Sequence, residues 1–136
     1  MSACSGYGCG LVYKLTPTGT GRWTESPAYR FRFGATGVYP SDLLFDAAGN
    51  LYGIDSLGGI SNGCIVSQSC QIVFELSPTS TNWKETVLQT FSNGVDGGNP
   101  NDLVADAAGN FYGTAYVGGP CSGLVFRLLP MAPAPS

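Results

Sequence analysis

Asp46-Ala47-Ala48-Gly49-Asn50-Leu51-Tyr52-Gly53 recurs as Asp106-Ala107-Ala108-Gly109-Asn110-Phe111-Tyr112-Gly113. The second copy stands sixty positions after the first, and only Leu51 is exchanged, for Phe111. Near-identity at a fixed offset marks a repeat architecture. Asp-x-x-Gly-Asn lies between apolar runs, Leu43-Leu44-Phe45 before it and Leu51-Tyr52 after it. That is the chemistry of a turn between strands. The carboxylate of Asp46 or Asp106 can accept from backbone N–H groups, and Gly49 or Gly109 supplies a positive φ without steric cost. Asn50 and Asn110 tolerate the left-handed region better than most residues. A short Gly-containing loop of this kind closes a hairpin. The competing reading makes Asp46 and Asp106 catalytic or metal-binding carboxylates. The turn needs these residue types at these places, so the structural reading is preferred.

Working outward, four short apolar segments fill each period. Asp42–Phe45 and Leu51–Asp55 flank the turn and are apolar throughout their centres, the pattern of strands covered on both faces. Ile72–Leu76 alternates, and Lys84–Phe91 follows Trp83. Leu11–Leu15 and Leu124–Leu128 copy the Ile72–Leu76 segment, and Trp23–Phe33 copies the segment after it. Pro27 predicts an edge position or a bulge near the start of that strand. No stretch has sustained apolar spacing at helical period, so no helix is expected.

The expectation is an all-β chain of β-propeller type, built of four-stranded antiparallel blades. It holds about two and a quarter repeats of 60 residues, a partial propeller, because closed rings need at least about four blades. Residues 1–129 form the repeat domain, with strands at 11–33, a full blade at 41–91 and three strands at 101–128. The Pro/Ala-rich tail, 130–136, reads as an extended linker.

Composition agrees with this class. The chain has 136 residues, 20 of them Gly, and only 11 % are charged. A net charge of −3 and the lack of a basic stripe exclude a typical nucleic-acid binder. No apolar run is long enough for a membrane span, and no basic-plus-apolar leader opens the sequence. Read literally, that start suits the cytosol.

The cysteines suit another compartment. Four residues separate Cys4 from Cys9 and five separate Cys64 from Cys70, each pair in a Gly/Ser-rich loop before a strand. Short loop disulfides are favoured, as in oxidising compartments. Free thiols are the second reading and zinc the third, since the chain has no His and the spacing is loose. Cys121 has no evident partner.

The motif set resembles the bacterial choice-of-anchor tandem-repeat GloVer-containing proteins. The residues concerned are Val95-Asp96-Gly97-Gly98-Asn99-Pro100, Asp106–Thr114, Gly10–Pro17 and Trp23–Glu25, and the likeness covers about residues 8–128. It implies a secreted or surface-displayed bacterial repeat protein without catalytic residues. Thr36 replaces the motif's Asp in the first repeat, and Ile54-Asp55 replaces its Gly-Thr-Thr run.

Other chemistry is weaker. Without His, nucleophilic triads lack their usual base. Trp23 and Trp83 could stack on a sugar ring, but recurrence at one place favours packing between blades. Glu25 and Glu85 could serve glycoside cleavage only at about 5–9 Å separation. Asn93, Asp96, Asn99, Asn101 and Asp102 form an oxygen-rich segment able to hold calcium, although a turn at Asp96-Gly97 is preferred. No other cofactor is expected. Trp23, Trp83, Asp96 and Asn99 are the binding candidates. Tyr52 and Tyr112 are expected at blade interfaces, their hydroxyls satisfied by the turns.

The function expected is a non-enzymatic extracellular or surface scaffold for protein or glycan binding. Its partners would be protein or glycan ligands, further copies of the chain, or further repeats of a longer one. One alternative is an extracellular propeller enzyme, a polysaccharide lyase or lactonase. Another is a truncated fragment without a task of its own.

Overall fold

A computed structural model of the chain describes residues 8–32, 38–57, 70–92, 97–118 and 123–129. Among them are nine strands and no helix. They are β1 (Leu11–Pro17), β2 (Trp23–Arg30), β3 (Val38–Phe45), β4 (Leu51–Leu57), β5 (Gln71–Pro78), β6 (Trp83–Phe91), β7 (Gly98–Ala105), β8 (Phe111–Val117) and β9 (Leu124–Leu128). All pairings are antiparallel, between sequence neighbours. The first sheet holds β1 and β2, the central sheet β3 to β6, and the third sheet β7 to β9.

Register repeats with the sequence. Leu43↔Gly53, Leu44↔Tyr52 and Phe45↔Leu51 in the central sheet become Leu103↔Gly113, Val104↔Tyr112 and Ala105↔Phe111 in the third. The bulges repeat too. β3 shifts register between Ser41 and Leu43, and β7 between Asn101 and Leu103, so Asp42 and Asp102 are extra residues. Both take positive φ, 49° and 37°. In β2, Tyr13 pairs with Pro27 and Val12 with Tyr29, so the bulge foreseen at Pro27 falls on Ala28. β6 bulges at the matching Leu88.

The sheets stack face to face, and two apolar clusters join them. Because side chains alternate across a strand, the central sheet buries one set on each side. Leu51, Ile72, Phe74 and Leu76 pack with Val12 and Phe31 of the first sheet region. Tyr52, Ile54, Val73 and Phe91 pack with Leu103 and Phe111 of the third. Aromatic rings lock both joints. Phe31 meets Phe74 edge-on at 5.1 Å, Tyr52 lies 4.1 Å from Phe111, and Phe91 lies 5.0 Å from Phe126.

Two expectations need correction. The strand expected from Trp23 to Phe33 ends at Arg30; Phe31 and Arg32 continue outside it, and Phe33 lies outside the described residues. Coverage on both faces holds for β4, whose residues 51–55 are all buried, but not for β3. Leu43 and Phe45 are exposed. The first sheet has only two strands, too few to reach across β3. A groove of about 460 Å³ between β1 and β3 marks the place, lined by Leu11, Tyr13, Pro40, Asp42 and Leu43.

Candidate functional site

The repeated turn sits at the mouth of the joint between the central and third sheets, and its carboxylate is fully occupied. Asp46 Oδ1 accepts from the N–H groups of Ala48 (2.8 Å) and Asn50 (2.9 Å). Its Oδ2 accepts from Asn50 Nδ2 (2.8 Å) and from the Tyr52 hydroxyl (3.1 Å). Asp106 repeats this with Ala108, Asn110 and Tyr112. Gly49 and Gly109 carry φ of 88° and 84°, and each donates its N–H to the carbonyl of Asp46 or Asp106. Burial pulls the Asp46 carboxyl upward, yet hydrogen bonds from Asn50, Tyr52 and Ala48 outweigh it and leave it below its ordinary value. At Asp106 the Asn110 side chain is the main cause of the same depression. A carboxylate spent on four donors has little capacity left for a proton or a metal.

Behind the first turn lies a groove of about 380 Å³. Asp46, Tyr52, Glu75 and Thr86 form its polar rim, and Leu88, Phe111, Leu128 and Leu129 its apolar wall. Glu75 accepts from the Ser77 hydroxyl at 2.6 Å. Burial, then the hydrogen bond to Asp46 and the charge of Glu75, push the Tyr52 hydroxyl up to about 12. The groove therefore offers apolar contact beside negative charge, with no group poised as a nucleophile.

The structure separates the four binding candidates. Trp83 packs partly buried against the first apolar cluster, whereas Trp23 is exposed. Asn99, at φ 51°, is tied to the buried Gln71: its N–H donates to Gln71 Oε1 (3.2 Å) and its Oδ1 accepts from Gln71 Nε2 (3.3 Å). This pair clips β7 to β5. Asp96 and Asn93 lie outside the described residues. Among the described residues, no group of three or more Cys, Asp or Glu side chains is arranged to hold a metal. Cys9 and Cys70 are each disulfide-bonded. Cys4, Cys64 and Cys121 lie outside the described residues.

Glu25 and Glu85 do not form an acid pair. Glu25 is exposed, while Glu85 Oε2 accepts from the Tyr29 hydroxyl at 2.7 Å, across the first joint. Its Oε1 is buried without a hydrogen-bond partner. Burial raises the Glu85 carboxyl above its ordinary value of 4.5, only partly offset by Tyr29. Stability from this group is present below pH 4.5 and is lost as pH rises through the elevated folded value. The turn aspartates act oppositely: their contribution is present above 3.8 and is lost as pH falls through their lowered values. Glu85→Gln keeps an acceptor for Tyr29 and removes the buried charge. We expect it to be at least as stable as the parent at neutral pH, with a flatter profile in thermal melts from about pH 4 to about pH 8. A less stable Gln variant at neutral pH would show that the charge is needed at this joint.

Sequence reasoning missed that the two bulged residues, Asp42 and Asp102, are electrostatic neighbours. Burial first, then the hydrogen bond and the charge of Asp102, raise the Asp42 carboxyl. The signal was the repeated Pro40-Ser41-Asp42-Leu43 and Pro100-Asn101-Asp102-Leu103.

No protein-family model, curated protein or solved structure gives a significant match to the chain. Among the described residues no helix is long and apolar enough to cross a membrane.

Proposed function

We propose that the chain is a propeller-type repeat module of GloVer kind that works as a non-enzymatic scaffold at a bacterial surface or outside the cell. It presents loops for contact with protein or glycan. The observation that carries this reading is symmetry. The Asp-Gly-Asn turn, the bulge and the Gly–aromatic contact recur in the central and third sheets with the same partners. An active site breaks symmetry, with a polar cluster confined to one repeat. Bonded cysteines fit an oxidising compartment.

The test is a panel of extracellular polysaccharides and their oligomers, read for binding and for product together. Binding of a glycan class with the polymer left intact supports the scaffold. Polymer cleavage to unsaturated ends, or opening of a lactone, would replace it by the enzymatic alternative. A chain that binds no glycan and no surface protein would leave the fragment reading.

A further inference from the structure

Equivalent residues of the three sheets are buried or exposed according to whether a sheet lies next to them. Phe74 and Leu76 are 0 % exposed against the first sheet, while the matching Tyr13 and Leu15 are 54 % and 49 % exposed. Trp23 is 62 % exposed where Trp83 is partly covered. Cross-strand pairing puts Tyr13, Leu15, Pro17, Trp23 and Glu25 on one outer face of the first sheet.

The opposite end shows the complementary side. Val12 and Val73 are buried, and the matching Val125 is 74 % exposed. Val104 and Tyr116 are exposed beside it. Pairing places Val104, Tyr112, Thr114, Val125 and Arg127 on this same face. Arg127 stands 6.0 Å over the Tyr112 ring. Each end face thus resembles one half of an internal joint, and the two ends are different halves. An end fits the other end, not itself. The charges agree, with Glu25 on the first face and Arg127 on the last.

We infer that a second copy of the chain stacks head to tail, its Tyr13–Leu15 face on the Val104–Val125 face. The inference rests on the propeller-type stacking proposed above and not on ligand binding. Contacts of this heterologous kind close into rings or extend into filaments. Two copies would bring six sheets together, within the about four to eight of closed propellers.

Light scattering after size exclusion tests it on the full chain, at concentrations up to about 100 µM. The expected mass is twice 14.1 kDa or a higher whole multiple, with monomer alone on a non-reducing denaturing gel. Tyr13→Asp and Val125→Asp, each with unchanged far-UV circular dichroism, should each lose the oligomer. Mixed in equal parts they should recover a dimer, because each retains the face the other lacks. Leu15→Lys replaces Tyr13→Asp if that variant unfolds. A parent that stays at 14.1 kDa overturns the inference. So do a covalent dimer, an oligomer surviving in either variant, or a mixture that stays monomeric. None of these results touches glycan or protein binding, which the polysaccharide panel measures separately.

Discussion

Phe74→Ala lowers the unfolding free energy by about 3–5 kcal/mol, the loss typical of a large ring removed from a closed core. Phe74 has no exposed surface, and its ring is held edge-on by Phe31 of the neighbouring sheet region. Its other side covers Gly53 across the strand pair. The cavity would therefore open where the first and central sheets meet, with little room for collapse. Set against typical stabilities of about 5–15 kcal/mol, such a loss is severe. Denaturant unfolding measures it as a lower midpoint at unchanged slope. The matching Tyr13→Ala, made at an exposed position, should shift stability by no more than about 0.5 kcal/mol in dilute monomer. Equal losses at both positions would mean that the first and central sheets do not pack as described.

Gly53→Ala is the second large effect, and its sign follows from space. A Cβ at position 53 would lie 2.5 Å from Cζ of Phe74 and 2.7 Å from the carbonyl oxygen of Asp42. Neither neighbour can yield cheaply. Phe74 is sealed by Phe31, and Asp42 is a bulged residue at positive φ. Overpacking of this kind costs about 1–3 kcal/mol. A smaller ring position relieves it, so Phe74→Leu combined with Gly53→Ala should be less damaging than the two losses summed. The expected coupling is about 0.5–3 kcal/mol in a double-mutant cycle. Strict additivity would show that the clash is absorbed elsewhere. Gly113, which meets Phe126 and Asp102 in the same way, offers the replicate in the third sheet.

These two glycines mark where local reading stopped. Gly49 and Gly109 were legible, because a turn between strands needs positive φ close to an Asp acceptor. Gly53 and Gly113 are not at positive φ. Their reason is a ring arriving from a strand about twenty or thirteen residues away. The Tyr-Gly repeat carried that information only once the strand pairing was known.

The remaining differences have one cause. Strands, hairpins and turns follow from contacts within a few residues, such as Asp46 with Ala48, Asn50 and Tyr52. Those contacts form wherever the eight residues occur, so the sequence by itself determined them. Whether Leu43 is covered like Leu103, whether Glu85 loses water beside Tyr29, and whether Asp42 meets Asp102 depend on which sheet stands next. Valine is buried at 73 and exposed at 125, and the equivalent aromatic positions differ likewise, Phe74 buried and Tyr13 exposed. Only the tertiary structure decided these matters, because burial belongs to a pair of surfaces and a sequence segment supplies one of them.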